Sequence, residues 1–159
     1  MTTRRGLLRC ARAPREQREE PQMDAMMMKQ MHDMMSMPGM ESMDMQMMQE
    51  CMDACAACEQ ACTVCSAQMM DGSPMSCATA CMACADMCNT MMRTMMRASM
   101  MTPAVMMAML DACIAMCQMC MDMCMDHADM SPVCQMCADS CKACMDACMA
   151  VKDMMMMKM

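Results

Sequence analysis

The stretch Cys51–Cys65 reads CMDACAACEQACTVC, with cysteines at positions 51, 55, 58, 62 and 65. Their steps of 4, 3, 4 and 3 follow one face of an α-helix, where residues three and four apart lie side by side. The ladder returns three times. Cys77, Cys81, Cys84 and Cys88 step by 4, 3, 4, as do Cys113, Cys117, Cys120 and Cys124; Cys134, Cys137, Cys141, Cys144 and Cys148 step by 3, 4, 3, 4. Each helix presents a stripe of thiols where a bundle ordinarily places leucine. The fold predicted is all-α: an antiparallel up-down-up-down four-helix bundle with a cysteine-lined core. Of the 19 cysteines, only Cys10 stands outside the ladders.

Composition agrees by omission. The chain has no Phe, Tyr or Trp, 43 Met among 159 residues, Leu only at 7, 8 and 110, and Ile only at 114. A core of Cys, Met and Ala buries less apolar surface per residue than one of Leu and Phe. Metal–thiolate bonds are the expected additional source of stability.

Three regions are expected. Residues 1–22 hold six Arg against Glu16, Glu19 and Glu20, for a net +3, and lack apolar periodicity. They read as a disordered Arg-rich tail. Residues 23–40 form a methionine-rich segment with a short helix in its first half, broken at Pro38-Gly39. Residues 41–157 form the bundle. From 23 onward, six basic side chains face sixteen acidic ones, a net −10 that argues against nucleic acid as a partner. No charge-free run of about 18 apolar residues exists, so no membrane span is expected.

Helix starts are marked by Ser73-Pro74, Thr102-Pro103 and Ser131-Pro132, each a hydroxyl N-cap before a proline at the first helical position. The helices are predicted over about 41–70, 74–98, 103–127 and 132–155, joined by short connections that force antiparallel neighbours.

Thiols on heptad core positions restrict the chemistry. Disulfide scaffolds are small and loop-rich, unlike this pattern. Structural zinc uses isolated sets of four ligands, often mixed with His, and the C-x2-C-x2-C-x3-C-P run of iron–sulfur proteins is absent. Thiolate and thioether together suit Cu(I). A metal–sulfur bond near 2.3 Å, the zinc–thiolate value, lets one ion bridge sulfurs roughly 4.5 Å apart, which neighbouring rungs can meet. Two-coordinate ions on the 18 ladder thiols number about 9 if no thiolate is shared and about 18 if all are, a storage stoichiometry. A metallothionein-like Zn²⁺ or Cd²⁺ buffer in the same bundle, and a disulfide-linked structural bundle, are the alternatives.

Four helices carrying C-x3-C-x2-C-x3-C, as in Cys77–Cys88 and Cys113–Cys124, resemble the bacterial copper storage proteins, the cysteine-rich four-helix-bundle copper-binding family. The resemblance covers roughly residues 45–153. It implies a bundle whose lumen stores many Cu(I) ions, usually as an oligomer, with cytosolic and exported branches. The methionine load and the lack of aromatics set this chain apart from that pattern.

Stepping by 3 and 4 beyond the cysteines reaches Met48 on the first helix, Met91 and Met95 on the second, Met106 and Leu110 on the third, and Val151 and Met155 on the fourth. With antiparallel connectivity these gather at one end of the bundle, while Cys65, Cys77, Cys124 and Cys134 gather at the other. The core therefore grades from thiolate to thioether along its axis. Met48, Met91, Met95, Met106 and Met155 are read as weaker entry ligands, though Met on a helix also serves as core filler. His32 and His127 read as solvated polar residues. Asp53, Glu59, Asp86, Asp122, Asp139 and Asp146 fall between the ladder positions, on the outer face. No nucleophile–base pairing or phosphate loop appears, so an enzyme is not expected. A copper chaperone or copper-requiring enzyme is the expected partner class. So many free thiols favour the reducing cytosol. The fragment Thr3-Arg4-Arg5-Gly6-Leu7-Leu8 resembles the start of a twin-arginine export signal without its apolar continuation, so export is the alternative.

Overall fold

A computed structural model describes residues 45–68 and 75–157, together with Lys29. The tail, nearly all of the methionine-rich segment, Cys10, His32 and the Ser73-Pro74 cap lie outside the described residues. Four helices follow one another: α1 (Met45–Gln68), α2 (Met75–Met95), α3 (Pro103–Met125) and α4 (Pro132–Met157), with a 3₁₀ turn at Ala98–Met100 between α2 and α3. Each helix packs against its chain neighbours, and α4 closes the ring against α1. This is the antiparallel four-helix bundle that the ladders predict.

Local chemistry starts and supports the helices. The Thr102 hydroxyl accepts a 3.3 Å hydrogen bond from the Val105 N–H, and the Ser131 hydroxyl accepts one of 3.3 Å from Cys134 N–H. Each satisfies an N–H that the first turn would otherwise leave unpaired. Glutamines reach acids one turn on: Gln46 to Glu50, Gln49 to Asp53, Gln118 to Asp122 and Gln135 to Asp139, all at 2.9 Å. Such pairs stabilise a helix by about 0.2–0.5 kcal/mol each. Lys142 and Asp146 do the same at 2.6 Å, and Lys152 bonds Asp111 across α3 and α4.

Cysteine reaches only one carbon and one sulfur from its backbone, so thiols on facing helices meet only if the helices approach closely. Alanines flanking the ladders permit this: Ala61, Ala80, Ala85 and Ala138 are all buried. The buried hydroxyls of Ser66 and Thr94 donate to the Thr63 and Thr90 carbonyls, both at 2.8 Å. No described buried side-chain nitrogen or oxygen lacks a partner.

Two expectations are revised. Helix α2 ends at Met95 rather than near residue 98, because the chain tightens into the 3₁₀ turn and tucks Ala98 into the core. Helix α3 is long and apolar enough to cross a membrane, by length and composition alone. The sequence rule required a charge-free run, whereas α3 carries Asp111 and Asp122 and is still apolar on average. In the bundle its Met106, Leu110, Cys113, Cys117, Cys120 and Cys124 are core residues.

Candidate metal centre

All 18 ladder cysteines are free thiols, each at most 1% exposed. The structure brings every one into a single core. Read forward, α1 steps 4, 3, 4, 3, and read backward α4 steps the same, so the two ladders meet rung by rung. The Sγ–Sγ distances are 3.6 Å for Cys51–Cys148, 3.6 Å for Cys55–Cys144, 3.8 Å for Cys58–Cys141, 3.4 Å for Cys62–Cys137 and 3.9 Å for Cys65–Cys134. Helices α2 and α3 match in the same way: Cys77–Cys124, Cys120–Cys81 and Cys84–Cys117 each lie 3.8 Å apart.

The rungs are tied across the lumen and along it. Cys62 reaches Cys120 at 3.9 Å and Cys84 reaches Cys141 at 3.9 Å, both diagonals of the bundle. Cys58–Cys62 and Cys84–Cys88, at 3.9 and 4.0 Å, link successive layers on one helix. Sets of four sulfurs within 4.8 Å of one another overlap: Cys58, Cys88, Cys117 and Cys144 share Cys58 with Cys58, Cys62, Cys84 and Cys141. The second set shares Cys62 and Cys141 with Cys62, Cys120, Cys137 and Cys141. The core is an unbroken sulfur network and not a row of separate sites.

Spacing decides what coordination the network can offer. With bonds of about 2.3 Å, sulfurs stand about 3.8 Å apart around a four-coordinate ion, about 4.0 Å around a three-coordinate one and about 4.6 Å across a linear one. The observed contacts suit three or four sulfurs per ion, and an opening of under an ångström or so allows two.

Protonation follows burial and the S–H bonds. Desolvation pushes Cys65 up to about 12 and Cys134 upward as well. Hydrogen bonds from Cys120, Cys124, Cys141 and Cys62 pull Cys137 down, while those Cys62 makes to Cys120 and Cys137 push it up. Cys51, bonded by Cys148 and Cys55, is held down to about 5. The apo lumen is thus a shared-proton net, mostly thiol, whose protons an arriving cation must displace.

The opposite end is apolar sulfur and hydrocarbon. Met48, Met91, Met95, Met106, Leu110, Val151 and Met155 are all buried there, in the same core cluster as the thiols. Sequence reasoning placed each of these positions and missed Met52, which is also buried beside the ladder of α1. His127 is half-buried at the thiolate end, with Nδ1 3.1 Å from the Met123 carbonyl oxygen. The outer-face acids are exposed, except that Glu59 is half-buried and accepts a 3.0 Å hydrogen bond from the Asn89 amide.

The model of the copper storage protein family matches residues 44–153, which span all four ladders. The chain belongs to that family. Among solved structures, a single-histidine variant of Streptomyces lividans Ccsp is 31% identical with a TM-score of 0.68, the match covering 72% of this chain and 98% of that one. A cytosolic copper storage protein from Streptomyces lividans, described in copper loading with five coppers, is 32% identical at a TM-score of 0.65, over 68% and 93% of the two chains. Ccsp loaded with 10 copper equivalents is 30% identical at 0.68, over 76% and 96%. The search of curated proteins finds no match. Belonging to the copper storage family gives the thiol net a cargo whose softness its sulfurs already match.

Proposed function

We propose that this protein stores multiple Cu(I) ions on the thiolates of its four ladders and has no catalytic role. The observation that carries the reading is the continuity of the sulfur network, in which groups of four share members along the bundle axis. Shared thiolates let the number of ions approach the number of sulfurs. At that ratio each Cu⁺ replaces one proton, and the charge of the core does not change.

Charge also limits the load in the Zn²⁺ or Cd²⁺ alternative. A divalent ion held by four unshared thiolates leaves about two negative charges in the lumen, and buried charge without a partner costs several kcal/mol per ion. The buried residues described here include no cationic side chain, so relief would require every thiolate to be shared, which holds the load to about nine divalent ions against about 18 Cu(I).

In this reading the ligands are Cys51, Cys55, Cys58, Cys62 and Cys65 of α1, with Cys77, Cys81, Cys84 and Cys88 of α2. Cys113, Cys117, Cys120 and Cys124 of α3 join them, with Cys134, Cys137, Cys141, Cys144 and Cys148 of α4. Met48, Met91, Met95, Met106 and Met155 form the entrance, where thioethers collect Cu(I) weakly at any pH and pass it to tighter thiolates. Their place at the end remote from Cys65 and Cys134, in one core cluster with the ladder thiols, supports this direction. A reducing cytosol keeps the thiols available, and the partner in copper exchange is a copper chaperone or a copper-requiring enzyme.

Anaerobic titration of the fully reduced protein, after a thiol count, with Cu(I) and separately with Zn²⁺, tests the store. Many Cu(I) ions per chain are expected; saturation at one to four would overturn it. Replacing the five entrance methionines with leucine roughly keeps volume. It should slow transfer in and out while capacity barely falls, and unchanged rates would reduce these residues to packing.

A further inference from the structure

Four of the five thiol layers hold one cysteine from each helix, and the fifth does not. By register, the layer of Cys51 and Cys148 is completed on α2 by Met91 and on α3 by Leu110, both fully buried. Cys51 and Cys148 stand 3.6 Å apart on adjacent antiparallel helices. This pair lies between the thioether end and the first complete layer, Cys55, Cys88, Cys113 and Cys144. Only two thiols belong to that level, so an ion there is held by two sulfurs, with a thioether as the available third. Cys148 also lies within 4.8 Å of Cys55, Cys113 and Cys144. One sulfur therefore belongs both to the pair and to the store below it.

We infer that Cys51 and Cys148 form a transfer station, a two-thiolate site through which every Cu(I) ion passes between the thioether entrance and the four-thiol layers. The inference rests on the storage reading and on the methionine end being the entrance. A two-coordinate ion exchanges ligands by accepting a third before losing one. At the station the Cu–Sγ bond to Cys55 forms while that to Cys51 breaks, and Cys148 holds the ion throughout. The proton given up by Cys55 is taken by the released Cys51 thiolate one turn away, so charge and protons balance without reaching water. The ion is never bound by fewer than two sulfurs. Repeating the step on the next rung, Cys55–Cys144 at 3.6 Å, moves the ion inward.

The test compares two double variants in the full chain under anaerobic conditions. Cys51→Ser with Cys148→Ser removes the station, and Cys65→Ser with Cys134→Ser removes the pair at the far end. A buried serine can donate to a carbonyl on its own helix, as Ser66 and Thr94 do here, and circular dichroism checks that each variant is helical. Both should lose the same capacity, about two ions at one ion per thiolate. Only the station variant should load from a weak Cu(I) complex, and unload to a strong chelator, about tenfold more slowly or worse. Of the single variants, Cys148→Ser should be slower than Cys51→Ser, because Cys148 serves both sites. Wild-type rates in the station variant, or slowing in the far-end variant instead, would overturn the inference. Wild-type protein saturating at four ions or fewer would overturn the storage reading with it, and that result precedes any variant.

Discussion

Saturating the reduced apo protein with Cu(I) at neutral pH should release close to one proton per ion. The structure holds 18 buried thiols in one lumen. If every thiolate bridges two ions and every ion holds two thiolates, the ions equal the sulfurs, and each Cu⁺ takes the place of one H⁺. If no thiolate is shared, about nine ions displace twice as many protons and leave about nine negative charges in the core. Burying an unpaired ion costs several kcal/mol even after relaxation. Nine of them would cost tens, beyond the roughly 5–15 kcal/mol by which a domain of this kind is stable. Shared thiolates are therefore required, with an end point near 18 ions. The assay is an anaerobic pH-stat titration from a neutral, weakly bound Cu(I) complex, with thiolate-to-copper absorbance followed in parallel. With no Trp, Tyr or Phe in the chain, the near-ultraviolet signal belongs to the copper–sulfur centre. An end point near nine ions with two protons released per ion would refute the reasoning.

Loading should raise the thermal midpoint, because ions bound only by the folded state add to its stability; equal midpoints for apo and loaded protein would place the copper elsewhere. The apo protein should lose stability at alkaline pH. Burial raises Cys65 from the ordinary 9.0 to about 12, so its contribution is full below 9 and lost as the pH climbs through 12; loaded protein, its thiols already deprotonated on copper, should lack that loss between 9 and 12 in denaturant melts. Leu110→Ala should cost the apo bundle about 2–5 kcal/mol by opening a cavity, measured by urea unfolding, with copper capacity unchanged. Thr102→Ala, which removes the hydrogen bond to Val105, should cost about 1 kcal/mol, whereas Asp111→Ala at an exposed ion pair should cost under about 1 kcal/mol.

Much of this was readable in the residues because cysteine marks helix phase better than any common core residue. Leucine appears on many faces, but a thiol at every third or fourth position has few other reasons to be there. Proline after Thr102 and Ser131 marked two helix starts to the residue. The end of α2 was not readable: Met96 and Arg97 are ordinary helix formers, and the turn at Ala98–Met100 arises from tertiary packing of Ala98. The helix-spacing alanines were also missed. Ala61 and Ala138 have no periodic signal of their own, and their role exists only once two ladders face each other. The matched steps of α1 and reversed α4 were present in the sequence, but only a comparison of ladders read in opposite directions discloses them.

That matching bears on how such a store can change over generations. A substitution at one rung removes one sulfur. A single inserted or deleted residue inside a ladder instead turns everything beyond it by about 100° around the helix axis, sending every later thiol toward a neighbour or toward water. The ladders thus carry a reading frame in three dimensions, intolerant of length changes within and permissive at their tips. Capacity can grow where the frame is already open, at the level of Cys51 and Cys148. There a change of Met91 and Leu110 to cysteine would complete a fifth layer in register with the four below it, exchanging one entrance thioether for a thiol.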